Sequence, residues 1–289
     1  MNISRPDLDS IMRLDLDSQL SAFRSTHRLI RSTFADITWS YVVGGHGLDT
    51  LLLLPGAPGI AEMAFPYIIA FERSHRVIAP SYPADVGSLA QLLAGIDGLL
   101  EAETAGSIHV IGASYSGLVA QHLVARHASR VASLLIGDTG VARRDRAIAL
   151  GIAIAVIARM PRLGFHAAIA LVLRNLLRGD TPAHSFWQHY FKGVVAALTV
   201  PEFVNRVRVM IDMDRQSLQH QTVPRWCGPT LLLETANDPL FSAAERAALR
   251  TCYPQAEVHT FYSQGHITAL TRSPEYIAVM TDFLVRHGT

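Results

Sequence analysis

Cysteine and lysine are scarce in this chain of 289 residues. Its two cysteines, Cys227 and Cys252, cannot build a framework of several disulfides. They could form one disulfide bridge, but reduced thiols are expected. Reduced thiols are typical of the cytoplasm, so a cytoplasmic protein is expected. Lys192 is the only lysine among the 25 basic residues, so arginine carries almost all of the positive charge.

Charge of either sign is sparse and evenly balanced. Charged residues make up 17% of the chain and hydrophobic residues 49%, which excludes a disordered chain. The 25 basic and 24 acidic residues leave a net charge of +1, and no run of like charges occurs. Because binding to phosphates needs a basic face, this balance argues against nucleic acid as a partner.

Apolar runs long enough to span a membrane are missing as well. Residues 1–10 are polar and lack the apolar core of a signal peptide, so none is expected. Two apolar stretches, at 147–158 and 165–173, fall short of the roughly 18–20 residues that a spanning helix needs. They predict helices of an apolar subdomain and no stable membrane insertion.

Motifs for metal or nucleotide chemistry are also lacking. The sequence contains no His-Glu-x-x-His, no paired Cys-x-x-Cys and no G-x-x-x-x-G-K-[ST] loop. We therefore expect neither a metal ion nor a nucleotide cofactor.

What the sequence does contain is an alternation of apolar strands and helices. Strands are predicted at 37–43, 50–54, 76–79, 107–111, 131–136, 230–235 and 257–261. Continuous apolar strands that alternate with helices are typical of a parallel sheet covered on both faces. Residues 1–36 are predicted to be helical, with Ile30 in the apolar stripe. Gly44, Gly45 and Gly47 predict a β-hairpin between the first two strands.

The alternation stops at Gly140, and no convincing strand follows until residue 230. Pro161, Pro182 and Pro201 divide the intervening segment into several predicted helices. This pattern predicts one α/β core interrupted by a helical insertion. The expected boundaries are 1–139 for an N-terminal helical extension and the first part of the core, 140–222 for the insertion, and 223–289 for the second part.

One short segment is distinctive because a predicted strand runs directly into a predicted helix. It reads Ile-Gly-Ala-Ser-Tyr-Ser-Gly over residues 111–117, with Ser114 at the turn. A nucleophile on such a turn needs small residues two positions before and after it, because larger side chains would collide with the backbone. Gly112 and Ser116 meet that demand. The segment resembles the nucleophile elbow of the α/β-hydrolase family, although that pattern usually has glycine where Ser116 stands.

The resemblance implies a base and an acid for Ser114, since a serine hydroxyl alone is a weak nucleophile. In this family the chain order is serine, acid, histidine. His266 follows the last predicted strand, where the base is expected, and Asp238 follows the strand before it. Asp138 is the alternative acid, because some relatives carry theirs after the strand that follows the elbow helix.

The resemblance also implies two backbone N–H donors for an oxyanion hole. Tyr115, directly after the nucleophile, would supply one of them. The other is expected in the loop after the strand at 50–54, where Ala57 is the candidate because Pro55 has no N–H. Gly56 would allow a substrate to approach the backbone closely and is counted among the substrate-binding residues.

The insertion corresponds in position to the lid of this family, so its apolar residues have three candidate uses. Packing between lid and core is one use, and lining an apolar substrate pocket is another. Phe186, Trp187 and Tyr190 are the candidate substrate-binding residues of the lid. Contact between two copies, as in a homodimer, is the third.

These motifs together predict an α/β fold with a mostly parallel sheet flanked by helices and an inserted all-helical lid. The implied activity is that of a serine hydrolase that cleaves an ester, thioester or lactone of a mostly apolar small molecule. Two alternatives stay open: a cofactor-free lyase or cyclase of the same fold, or a binding protein. The stretches 39–41, 53–56 and 79–83 resemble a maspardin-like branch of the family, some members of which are regarded as binding proteins.

Overall fold

A single eight-stranded sheet forms the centre of the protein, in the order β1-β2-β4-β3-β5-β6-β7-β8. The structure is a computed structural model that describes residues 15–104, 106–220 and 226–287. Residues 1–10, for which no signal peptide is expected, lie outside the described residues. The strands are β1 (Ile30–Phe34), β2 (Ile37–Gly44), β3 (Thr50–Leu54), β4 (Arg76–Ser81), β5 (Ile108–Ala113), β6 (Val131–Gly137), β7 (Thr230–Asn237) and β8 (Glu257–Gln264).

Helices connect most of the strands and cover both faces of the sheet. They are α1 (Leu16–Thr26), α2 (Phe65–Phe71), α3 (Leu89–Glu103), α4 (Tyr115–Arg126), α5 (Arg144–Ile157), α6 (Arg162–Leu176), α7 (Pro182–Ala197), α8 (Val200–His220), α9 (Ala243–Cys252), α10 (Thr268–Thr271) and α11 (Ser273–His287). Short 3₁₀ turns lie at Ala61–Ala64 and Ala128–Arg130.

Among the described strands, those from β4 through β3 to β8 are parallel to one another, whereas β2 is antiparallel to both of its neighbours, β1 and β4. All five residues of β3 are buried. Leu52 packs in the apolar layer under α3 and α4, whereas Leu51 and Leu53 pack in the layer under α2 and α11. Strands buried on both faces require continuous apolar sequence, and this is what the sequence contains. The prediction of a mostly parallel sheet flanked by helices is confirmed.

The start of the chain differs from the prediction. Helix α1 ends at Thr26. Ile30, predicted to lie in a helix, is the first residue of strand β1. This strand pairs with β2 through a two-residue turn in which Ala35 and Asp36 have φ of 47° and 61°. Positive φ at both turn residues produces the twist that a tight hairpin requires. No residue of β1 is fully buried, and its sequence lacks the apolar-polar alternation that would have predicted a strand.

The hairpin predicted between β2 and β3 is also wrong. Strand β4 lies between them, with Ile78 opposite Val43 of β2 on one side and Leu52 of β3 on the other. The fully buried β3 takes an interior position with a parallel neighbour on each side. Gly45 has φ +68°, and a Cβ there would lie 2.1 Å from the carbonyl oxygen of His75. Position 45 needs a glycine because the loop passes close to the backbone at the start of β4.

Helices α5 to α8 occupy the chain between β6 and β7, where the helical lid is predicted. The prolines that divide this segment stand at helix starts. Pro161 precedes α6, Pro182 is the first residue of α7, and Pro201 lies in the first turn of α8. Proline suits these positions because the first-turn N–H groups have no partner within the helix. Across the described ranges, no helix is both long and apolar enough to cross a membrane.

Candidate active site

Ser114 lies on a strained turn between β5 and α4. Its backbone has φ 57° and ψ −120°, a conformation that costs energy for a residue with a side chain and that marks functional turns. A Cβ on Gly112 would lie 2.4 Å from the carbonyl oxygen of Ser116, so glycine is required there. The hydroxyl of Ser116 is within 2.9 Å of both the N–H and the carbonyl of Ala113. Serine at position 116, where the family pattern has glycine, therefore fits the turn and adds a hydrogen bond across it.

Three of the predicted site residues meet in one hydrogen-bonded chain. The Oγ of Ser114 lies 2.7 Å from Nε2 of His266, and Nδ1 of His266 lies 2.8 Å from Oδ2 of Asp238. The other oxygen of Asp238 accepts from the N–H of Leu240 at 2.7 Å. A carboxylate fixed in this way keeps the proton of the imidazole on Nδ1 and leaves Nε2 free to accept one.

The alternative acid, Asp138, occupies a separate position beside this chain. It lines the same cavity as Ser114, but its Oδ2 accepts from the hydroxyl of Tyr276 at 2.5 Å. No hydrogen bond joins it to His266 in the described part of the protein. Burial raises the pKa of the Asp138 carboxyl to about 6, against the bond from Tyr276, which lowers it. Asp238, and not Asp138, is therefore the carboxylate that contacts His266.

The buried carboxyl of Asp138 predicts a pH dependence of stability. Its pKa rises from 3.8 in the unfolded chain to about 6 in the fold. Its contribution to stability is thus complete below 3.8 and is lost as the pH rises through about 6. The loss amounts to about 3 kcal/mol at most. Asp138→Asn retains the acceptor for Tyr276 but does not ionise.

The free energy of unfolding of Asp138→Asn should therefore increase relative to that of the wild type as the pH rises from about 4 to about 8. Urea denaturation across this range measures the difference. Parallel curves for the two proteins would contradict the shifted pKa.

A mostly apolar cavity of about 490 Å³ opens beside Ser114 and His266. The predicted residues Gly56, Ala57 and Tyr115 line it. Helices α5 to α8 supply much of the opposite wall, including Leu150, Ile169, Leu173, Phe191, Val195 and Phe203. A cavity of this size and character suits a small apolar ligand with one polar reacting group.

The three aromatic residues predicted to bind substrate lie elsewhere. Phe186, Trp187 and Tyr190 are not among the residues that line the cavity. Trp187 is fully buried 6.0 Å from the ring of Phe65, and its Nε1 donates to the carbonyl of Leu270 at 3.0 Å. The hydroxyl of Tyr190 donates to Glu62 at 3.0 Å. The hydrogen bonds of Trp187 and Tyr190 thus attach α7 to residues outside it. The residues that α7 contributes to the cavity wall are Phe191, Val194 and Val195.

The loop that carries Ala57 is held from both sides. The N–H of Gly59 donates to the carbonyl of Gly56 at 2.8 Å, and the N–H of Tyr82 donates to the carbonyl of Gly59 at 2.9 Å. Tyr115 is the first residue of α4, so its N–H has no helical partner. The amides of Ala57 and Tyr115 thus belong to two segments that border one cavity.

Arg206 of helix α8 is a cavity residue that the sequence analysis missed. Only 5% of it is exposed, its guanidinium donates to the carbonyls of Tyr82 and Pro83, and Glu202 lies 3.9 Å away. A Cβ on Gly59 would lie 2.5 Å from this guanidinium, so Arg206 packs directly on the loop that carries Ala57. Nothing in the local sequence distinguishes it from an ordinary surface arginine of a helix, because its burial depends on where α8 lies.

The comparison with known proteins agrees with this architecture. A model of the alpha/beta hydrolase family matches residues 51–279. No curated protein is a significant match to the chain. A hydrolase from Pseudomonas aeruginosa PA01 has a similar structure, with a TM-score of 0.74, 18% identity, and coverage of 89% of this chain and 98% of that one.

Two further solved structures are similar over nearly the same length. A thermophilic esterase from Thermogutta terrifontis has a TM-score of 0.72 and 19% identity, with 91% of this chain and 100% of that chain covered. The enol-lactonase from Burkholderia xenovorans LB400 has a TM-score of 0.68 and 16% identity, with 89% and 100% covered. At these identities the likeness concerns the fold alone.

Proposed function

We propose that this chain, which belongs to the alpha/beta hydrolase family, is a serine hydrolase that cleaves an ester, thioester or lactone of a mostly apolar small molecule. One observation carries the proposal: Ser114, His266 and Asp238 form a chain of hydrogen bonds of 2.7 and 2.8 Å beside an apolar cavity. An esterase and an enol-lactonase are among the proteins of similar fold, which is consistent with ester or lactone cleavage.

In the proposed mechanism, the Oγ of Ser114 attacks the carbonyl carbon while Nε2 of His266 takes the hydroxyl proton. Asp238 stabilises the imidazolium that forms. The amides of Ala57 and Tyr115 hold the negative oxygen of the tetrahedral intermediate. Collapse of this intermediate breaks the bond to the leaving group, which receives the proton from His266 and leaves an acyl-enzyme. Water, deprotonated by His266, then attacks the acyl carbon and releases the acid and free Ser114.

Covalent labelling tests the nucleophile. A fluorophosphonate should react once per chain, at Ser114, because this hydroxyl has both a base and a strained, accessible position. Ser114→Ala should take up no label while keeping its melting temperature. Mass spectrometry of the labelled peptide identifies the site. Labelling at another serine, or none in folded protein, would contradict the assignment.

Turnover separates the hydrolase from the open alternatives. An activated aryl ester should give a burst of aryl alcohol followed by steady release, because acylation and deacylation are separate steps. A protein that is labelled at Ser114 but hydrolyses no ester would instead favour the lyase, cyclase or binding-protein alternatives.

The apolar cavity predicts a preference for longer acyl chains. Each buried CH₂ contributes about 0.8 kcal/mol, or up to about fourfold in kcat/KM. For p-nitrophenyl esters, kcat/KM should therefore rise from acetate through butyrate to hexanoate until the cavity is filled. Uniform binding of this kind lowers KM more than it raises kcat. A series with its maximum at acetate would exclude an apolar acyl site.

A further inference from the structure

Two helices of the lid, α5 and α6, expose apolar faces to solvent. Within α5 only Ala147 is buried, and within α6 only Phe165. The exposed fraction reaches 66% for Ile152 and 86% for Leu163. The large exposed apolar residues of the two helices are Ile148, Ile152, Val156, Leu163, Leu171 and Val172. On α5, Ile148, Ile152 and Val156 are spaced four residues apart and border one surface. Grouped exposed apolar residues of this kind mark a binding face, whereas single ones are common.

The same segment is strongly basic. Arg144, Arg159, Arg162, Arg174 and Arg178 are exposed on α5, α6 or the residues that border them. None forms an ion pair with a carboxylate of the described residues. The acidic residues of the same stretch are Asp145, which pairs with Arg143, and Asp180, which follows Arg178 by two residues. Positive charge is therefore concentrated on this surface, whereas the whole chain has a net charge of only +1.

We propose that the outer surface of α5 and α6, here called the lid face, docks on an anionic lipid surface. Guanidinium groups bind phosphate oxygens in pairs, and the apolar side chains between them would enter the boundary between headgroups and acyl chains. Basic residues beside an anionic membrane are each worth roughly fivefold in binding. This docking is peripheral and needs no spanning helix.

The charge of the lid face decides between a membrane and a second copy of the chain as its occupant. A two-fold symmetric dimer places the same surface on both sides of the contact. Both sides of the contact would then bring the same five unpaired arginines into one desolvated interface. An anionic surface neutralises the same groups, so the arrangement of charge favours the lipid.

The two helices also connect the lid face with the cavity. Leu150 of α5 and Ile169, Leu173 and Leu176 of α6 line the cavity beside Ser114. Docking would thus place the cavity next to acyl chains, a consequence that rests on the proposed hydrolase function. The docking itself does not depend on that function.

Vesicle sedimentation with the full chain tests the docking. Vesicles of phosphatidylcholine with about one-third phosphatidylglycerol should bind the protein, and pure phosphatidylcholine vesicles should bind far less. Added salt should weaken the binding, because it screens exposed charges. Ser114→Ala should bind like the wild type, which separates docking from catalysis.

Matched variants locate the surface. Arg159→Glu with Arg162→Glu should reduce the binding constant at least about 25-fold, and Ile152→Ser with Leu163→Ser should reduce binding to both vesicle types. Arg31→Glu and Leu48→Ser are controls, since both residues are exposed outside the lid and should leave binding unchanged. Unchanged melting temperatures show that the variants are folded. Equal vesicle binding by the wild type and the lid-face variants would overturn the proposal. It would also be overturned if the wild type were a dimer in solution and Leu163→Ser made it monomeric.

Discussion

Asp238→Asn is expected to lower kcat by about 10⁴-fold, as neutralising the acid of a catalytic triad does. The carbonyl oxygen of the asparagine can still accept from the N–H of Leu240, so its amide nitrogen would face Nδ1 of His266. That nitrogen donates, which forces Nδ1 to accept and moves the ring proton to Nε2. A protonated Nε2 cannot take the proton of Ser114, although all the atoms remain in place.

Asp138→Asn is the matched control for this prediction. It changes a carboxyl group that lines the same cavity but accepts its hydrogen bond from Tyr276 and not from His266. The tautomer of His266 should be unaffected, so kcat should change less than about tenfold. Steady-state kinetics of both variants with one aryl ester, at a pH where both are folded, makes the comparison. A larger loss for Asp138→Asn would transfer the role of the acid to that residue.

Trp187→Ala is expected to destabilise the protein by about 3–5 kcal/mol. The indole is fully buried among Phe65, Phe186 and Phe191, and its N–H donates to the carbonyl of Leu270. Its removal leaves a void between α7 and α10 and an unpaired buried carbonyl. Urea denaturation measures the loss. Because Trp187 does not line the cavity, the preference for acyl length should stay that of the wild type.

Val195→Phe tests the opposite case on the same helix. Val195 lines the cavity, so the larger ring would occupy space that an acyl chain needs. The longest accepted ester should become shorter while stability changes little. A shifted preference in Trp187→Ala and an unchanged one in Val195→Phe would show that the cavity wall is assigned to the wrong residues.

The parts of the site that were predictable from sequence are those with local steric demands. A strand that runs directly into a helix, with Gly112 and Ser116 around Ser114, has few structural solutions, because any larger residue at Gly112 collides with the backbone. The family order then selected His266 and Asp238, and the structure brings both within hydrogen-bond distance of their partners. Their catalytic roles remain predictions.

Features that depend on distant parts of the chain were not predictable in the same way. The order β2-β4-β3 depends on a connection that brings β4 back between β2 and β3, and the spacing of apolar residues in the sequence does not express this pairing. Whether an aromatic residue of α7 reaches the cavity or the core depends on the rotation of that helix. Trp187 and Phe191 are one turn apart, yet only Phe191 lines the cavity.

The chain leaves the sheet after β6, forms helices α5 to α8 and returns at β7. Strands β6 and β7 are direct neighbours, with Gly137 opposite Leu233. The sheet thus fixes both ends of the segment between β6 and β7, independently of the structure of that segment. Lengthening such a loop is cheap, because closure entropy grows only slowly with its length. Ser114, Asp238 and His266 are borne by β5 and by the ends of β7 and β8. Evolution or a protein engineer can therefore exchange the helices between β6 and β7 while Ser114, Asp238 and His266 keep their places.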